Sequence, residues 1–246
     1  MKTSLFVPLL VFASVLLFGC KKEDSITDPL ASANVSTDDA ADALASALGD
    51  GSATSGLTTQ LEELASVAGG GALGKVDASA SVLMDTVLTR SRTGTYSFNY
   101  TFRYSYGLVS ANQFSFAYSM KGVYDTPKMS SDDSASAALQ VSNLLSCQTY
   151  SVTGLYNRYG TQASKLRNKL TFRSTITAAI TDLQIDKNTK RVTSGTATMT
   201  MYGQSSAGNA FSFTATVTFL GNQQGTLVIN GKTYTLNLTL GEATAV

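Results

Sequence analysis

From about residue 82 to the C-terminus the chain alternates apolar and polar residues with a period of two. The clearest run is 95–106, where Tyr96, Phe98, Tyr100, Phe102, Tyr104 and Tyr106 take every even position and Ser97, Asn99, Thr101, Arg103 and Ser105 the odd ones between them. A strand sends successive side chains to opposite faces, whereas a helix would scatter this pattern around its axis. After a turn at 107–112, Phe114, Phe116, Tyr118 and Met120 restore the alternation, which predicts a hairpin with one aromatic face. The pattern recurs at Leu139 and Val141, at Tyr150 and Val152, at Leu166, Leu170, Phe172 and 176–180, at Met199 and Met201, and from Phe211 through Phe213, Ala215 and Val217 to Phe219. Asp186-Lys187-Asn188-Thr189 reads as a turn. A last hairpin places Asn230-Gly231 between Leu227, Ile229 and Tyr234, Leu236, Leu238; both turn residues tolerate the positive φ of a type I′ turn. The prediction is an all-β antiparallel meander of roughly nine or ten strands. Each strand has one dry and one wet face, which fits either two sheets stacked as a sandwich or one wide curved sheet with helices over its concave side.

Upstream the period changes to that of a helix. Ser36 or Thr37 can cap a first helix with Asp38 and Asp39 in its opening turn, Ala40, Leu44 and Leu48 repeat at i+4, and Gly49 ends it. Leu57, Leu61, Leu64 and Ala68 predict a second, which Gly69-Gly70-Gly71 terminates. Helices this short are marginal alone and need a surface to pack on. Residues 69–74 spell GxGxxG, but they follow a helix and precede a strand, the reverse of a dinucleotide-binding loop, so a hinge is the better reading.

The first residues change the picture from fold to location. Met1-Lys2 and the apolar stretch 5–18 make the charged and apolar regions of a secretory signal, too short to span a bilayer as a helix. Leu17-Phe18-Gly19-Cys20 resembles the lipobox of bacterial lipoproteins; that resemblance implies cleavage before Cys20 and a thioether-linked diacylglycerol on it, with further acylation by a chain such as palmitate. Phe18 departs from the small residue more usual there. Lys22-Glu23-Asp24 is similar to the charged export signal of Bacteroidota surface lipoproteins, which implies an outer-membrane site facing outward. One acyl chain binds a bilayer marginally, and a second or third makes attachment effectively permanent. The polar stretch 21–36 reads as a leash with an average reach of about 20–25 Å. The expected organisation is thus a signal at 1–19, a lipidated tether at 20–36, a helical segment at 37–74 and a β domain at 75–246.

Composition narrows the chemistry. The chain has no histidine, which removes Ser/His and Cys/His nucleophile pairs, imidazole bases and His-ligated metals. There are 18 basic and 17 acidic side chains, and losing Lys2 with the signal balances them, which argues against a nucleic-acid partner. Cys20 and Cys147 are the only cysteines; with Cys20 lipidated, no internal disulfide can form, and Cys147 is expected to be buried, an intermolecular bridge being the alternative. Neither GxSxG nor SxxK occurs. The carboxylates of the β region, Asp77, Asp85, Asp125, Asp132, Asp133, Asp182, Asp186 and Glu242, sit mostly where turns are expected and show no spacing of a glycosidase pair. No cofactor, metal or catalytic residue is predicted.

Two surfaces remain as candidates for binding. The aromatic row Tyr96, Phe98, Tyr100, Phe102, Tyr104, Tyr106 is either a dry sheet face or a platform for sugars or lipid tails. Lys165, Arg167, Lys169 and Arg173 share one strand parity and would form a cationic row, either protecting a sheet edge or meeting an anionic glycolipid or polysaccharide. Three Asp-Ser/Thr-apolar triplets, at Asp24, Asp85 and Asp133, resemble the O-glycosylation motif of Bacteroidota. The expected function is a membrane-anchored surface lipoprotein with a non-catalytic binding or structural module, whose partner is a glycan, a glycolipid or a hydrophobic ligand. The alternative is a carrier holding a lipid on the aromatic face.

Overall fold

The computed structural model describes residues 34–50, 54–69, 86–167 and 169–246. Helix α1 (Thr37–Leu48) and helix α2 (Leu57–Gly69) are followed by eleven strands: β1 (Thr86–Arg92), β2 (Ser97–Ser110), β3 (Gln113–Asp125), β4 (Met129–Ser142), β5 (Thr149–Ser164), β6 (Thr171–Asp186), β7 (Val192–Ser205), β8 (Ala210–Gly221), β9 (Gln224–Ile229), β10 (Lys232–Asn237) and β11 (Glu242–Ala245). Every strand pairs antiparallel with its neighbour in sequence, so one eleven-stranded sheet runs from β1 to β11 without a crossover. The single wide sheet is therefore the arrangement adopted, with slightly more strands than the alternation predicts. Asn230 (φ 49°) and Gly231 (φ 80°) both take the left-handed conformation at the β9–β10 turn, as type I′ requires.

The sheet curls around α1. Residues of α1 touch β5 in the middle of the sheet as well as β9, β10 and β11 at its end. The two ends also approach each other, because Tyr96, just before β2, donates a 2.7 Å hydrogen bond to Glu242 on β11. Inside the curl, the inward-facing residues of the sheet and both helices share one hydrophobic core, including Leu44, Leu48, Leu57, Leu61, Leu64, Phe114, Phe116, Phe172 and Phe219. Every residue of α1 from Asp39 to Leu48 is buried, not only the Ala40–Leu44–Leu48 stripe. Ala41, Ala43, Ala45 and Ala47 explain how: a helix with methyl groups on its other sides is slim enough for the sheet to close around it.

Both ends of α1 are secured by side chains. At its start Ser36 and Asp39 form a reciprocal capping box, worth about 1 kcal/mol. Asp39 also accepts from Ser164, and Asp42 pairs with Arg167 at 2.8 Å and Lys128 at 3.4 Å. At its end the carbonyls of Ser46, Ala47 and Leu48 accept from Arg158, Tyr156 and Thr58. Carboxylates at the positive end and a guanidinium at the negative end both complement the helix dipole.

One row across the sheet permits this packing. Tyr100, Gly122, Asp133, Gly160, Ser174 and Gly203 are successive partners on β2 to β7, and all face the interior. A Cβ at Gly122 would overlap the Tyr100 ring, and one at Gly160 the Asp133 side chain. Glycine on alternate strands thus leaves the room into which the large neighbours lie.

Strand β4 corrects the sequence reading most. Asp132, Asp133, Ser134 and Ala135 are in mid-strand, not in a turn or loop. Its inward residues include Ser131, Asp133, Ala135 and Ala137, which carry too little apolar surface to register as an alternating strand.

Candidate functional site

The aromatic row lies on the inner face. Phe98, Tyr100, Phe102 and Tyr106 are buried, Tyr96 and Tyr104 half-buried, and the rings continue through Phe116 and Tyr118 to Tyr156 on β5 in steps of 5.6 to 6.4 Å. These rings belong to the same buried cluster as α1 and α2, so the row is packed dry.

At the heart of that face is a buried ion pair. Arg158 Nε and Nη2 donate to Asp133 Oδ2 at 2.8 and 2.7 Å, Nη2 also donates to the Tyr100 hydroxyl at 2.9 Å, and the guanidinium lies 5.2 Å from the Tyr124 ring centre. Ser131 donates to the same carboxylate oxygen. Tyr100 on β2 and Arg158 on β5 are three strands apart along the sheet, so their contact measures its curvature. Burial works to discharge the guanidinium, but Asp133 and the oxygens of Tyr100, Tyr156 and Tyr124 hold it charged, with its pKa well above the ordinary value. Burial raises Tyr100 and Tyr118 well above the usual phenol range and pushes Tyr124 and Tyr156 up to about 12.

Those phenols tie stability to alkaline pH. An unfolded tyrosine ionises near 10, so groups held neutral to about 12 contribute stability that is intact below pH 10 and lost as pH rises through 12. Absorbance at 295 nm and far-UV circular dichroism followed together should show a late tyrosine step coinciding with loss of β signal. Complete ionisation near pH 10 with the β signal intact would mean that water reaches these rings.

The cationic row does not form as one strand face. Strand β5 ends at Ser164 and β6 starts at Thr171, so Lys165, Arg167 and Lys169 belong to the connecting loop. Arg167 and Lys169 have φ of 47° there, which breaks strand alternation. Lys165 pairs with Asp125, and Arg167 is engaged by Asp38, Asp39 and Asp42 of α1. Arg173 alone of the four lies in a strand, on the outer face of β6.

Other expectations are relocated in the same way. Cys147 is exposed, with φ 68° in the β4–β5 loop, not buried. Asp182 sits at a bulge in β6 and accepts from Ser151 and Gln184; Asp186 makes the predicted turn, where the backbone and side chain of Thr189 hold its carboxyl below the usual range. Cys20, Lys22, Glu23, Asp24, Asp77 and Asp85 lie outside the described residues, as does 70–74 of the glycine-rich run. Among the described residues no set of three or more acidic or cysteine side chains is placed to hold a metal, and no helix is long and apolar enough to cross a membrane.

The binding chemistry left accessible is on the outer face. That face is mostly hydroxyl, as in Thr196, Thr198 and Thr200 on β7 and Thr214, Thr216 and Thr218 on β8. Two aromatic side chains of the strands break the pattern: Tyr159 on β5 and Tyr202 on β7, each half-exposed. They are neighbours, since Tyr159 and Tyr202 are both partners of Thr175 on the intervening β6. The adjacent row brings Thr161, Arg173 and Gln204 together. These residues line an open cleft of about 430 Å3 with Thr171 and Ser206 at its rim. Gln204 donates through Nε2 to the Gly208 carbonyl at 2.9 Å, which fixes its amide. A second open depression of about 620 Å3 adjoins at Thr161 and runs past Val123 and Asp132 towards Asn99; two others, of about 240 and about 450 Å3, lie over Ser119, Ser134 and Asn157 and over Thr101, Arg103 and Lys121. Together they make a shallow trough across β2 to β7. Along it the strands are spaced at about 4.8 Å, giving a course of roughly 24 Å.

Tyr202 was legible from the sequence as an aromatic on the hydroxyl side of Met199 and Met201, and Tyr159 likewise beside Tyr150 and Val152. Their adjacency depends on the register of β6, which the break in alternation at the β5–β6 loop hides from sequence pattern.

No protein-family model, no curated protein and no solved structure matches the chain. Fold and site together define a β-meander wrapped on the helix that precedes it, with an open, tyrosine-flanked trough on the outside.

Proposed function

We propose that this chain is a lipid-anchored protein of the outer membrane, displayed outward, whose β domain is a non-catalytic binding module working through its outer face. The observation that carries the binding part is the outward pair Tyr159 and Tyr202 beside Arg173, where the outer face of β6 to β8 is otherwise rich in threonine and serine. A filled interior supports the same reading, because α1 and α2 occupy the space a carried lipid would need. The anchor rests on Leu17-Phe18-Gly19-Cys20 and the orientation on Lys22-Glu23-Asp24.

Fractionation tests the location. Wild-type protein should partition with outer membranes and be lost when protease is added to intact cells, whereas Cys20→Ala should leave the membrane fraction. Survival of the wild-type protein in protease-treated intact cells would place the domain on the periplasmic side. Binding is tested by screening the purified protein on a broad glycan array, where retention without turnover is expected and an empty array would refute a glycan-binding role.

A further inference from the structure

We infer that the cleft between Tyr159 and Tyr202 is a subsite for an acidic glycan, with one sugar ring over Thr175 between the two phenols and its carboxylate on Arg173. This rests on the binding-module reading and names the ligand class for the same face.

The argument starts from what strands select on a wet face. Tyrosine is a good strand former, but so is threonine, and the outer face of β6 to β8 takes threonine or serine nearly throughout. Two half-exposed rings leave much apolar area in water, about 25 cal/mol for each Å2. Such rings gain most when a flat, partly apolar partner covers them, and the C–H face of a sugar is one. Their placement adds a second constraint. They stand one strand to either side of Thr175, so their strands are about 9.5 Å apart, which leaves a gap the width of a single ring.

The polar groups then select among sugars. Thr161, Thr175 and Gln204 offer hydroxyl and amide partners for ring hydroxyls. Arg173 is exposed and forms no ion pair with any described residue, unlike Arg158 and Arg167. A guanidinium binds carboxylates in a planar, two-pronged geometry, so a charged Arg173 beside the gap favours a uronate over a neutral sugar. Lys121 continues the row beyond Tyr159 through Ser134 and also has no ion pair among the described residues. Asp132 is the acid nearest Arg173 by register, with Thr161 between them on β5. The cleft is open and shallow, which suits the side of a chain and not an enclosed end.

The test uses the full lipidated protein in detergent, titrated with polygalacturonate, alginate and hyaluronan, each beside its carboxyl-reduced counterpart. Native protein should bind at least one acidic polymer about tenfold more tightly than its reduced form. Tyr159→Ala/Tyr202→Ala should abolish binding of both forms, and Arg173→Gln should weaken only the acidic form, to the level of the reduced one. All three positions are solvent-facing, so thermal unfolding should be little changed. Equal affinity for acidic and reduced forms would overturn the acidic preference while leaving the binding module standing. Binding that survives the double tyrosine change would overturn the location. If native protein ignores all three acidic polymers, the inference fails, and the binding-module reading falls with it only if the broad neutral array is also empty.

Discussion

Arg158→Ala will destabilise the domain by about 3–5 kcal/mol, the cost of leaving one partner of a buried ion pair uncompensated. The guanidinium and the Asp133 carboxylate are 2% and 0% exposed. Removing the cation leaves Asp133 with only Ser131 on its shared oxygen, while Asp133 Oδ1 already has no partner. It also strips the Ser46 carbonyl at the end of α1 and the Tyr100 hydroxyl of their donor. Urea unfolding followed by far-UV circular dichroism measures the loss. Asp133→Leu/Arg158→Met should recover most of it, since a packed apolar pair of similar volume avoids burying charge. A single variant within about 1 kcal/mol of wild type would mean that the pair is hydrated and does not brace the helix.

Leu44→Ala will cost about 2–5 kcal/mol, and Leu48→Ala a similar amount. Both side chains are fully buried, one turn apart on α1, in the core that the sheet shares with both helices. Little collapse is available to fill either cavity, because a curled sheet paired from β1 to β11 cannot tighten without breaking its register. The two cavities would be neighbours, so the double variant should fall short of or exceed the sum. With the helix loosened, the rings of Phe98, Tyr100 and Phe102 become reachable, and an apolar dye should fluoresce with Leu44→Ala/Leu48→Ala but not with the native protein. Native-like stability of Leu44→Ala would refute the account of α1 as the core of the curl.

The contrast between what could be read and what could not follows from the range of the interactions. The alternation of 96–106 and 114–120, the cap at Ser36, the stop after Ala68 and the turns at Asp186 and Asn230 are local. Each depends on residues within a few positions of one another, so the helices, most strands, the meander and the aromatic character of one hairpin face can be read without the fold. The resemblances of Leu17-Phe18-Gly19-Cys20 to a lipobox and of Lys22-Glu23-Asp24 to an export signal are equally local, and they rest on the sequence alone.

Tertiary structure decided whatever depends on register. That Asp133 belongs to a strand follows from Arg158, twenty-five residues away, which makes a buried carboxylate tolerable there. That α1 is buried on every side follows from the curl, which no periodicity within α1 encodes. Lys165, Arg167 and Lys169 leave the strand because the carboxylates of α1 draw Arg167 into the loop, and a positive φ at two positions resets the alternation. Tyr159 and Tyr202 are forty-three residues apart in the sequence and one strand apart from Thr175 in the sheet. Alternation assigns each tyrosine to a face, but only the hydrogen-bonded register of β5, β6 and β7 sets them side by side.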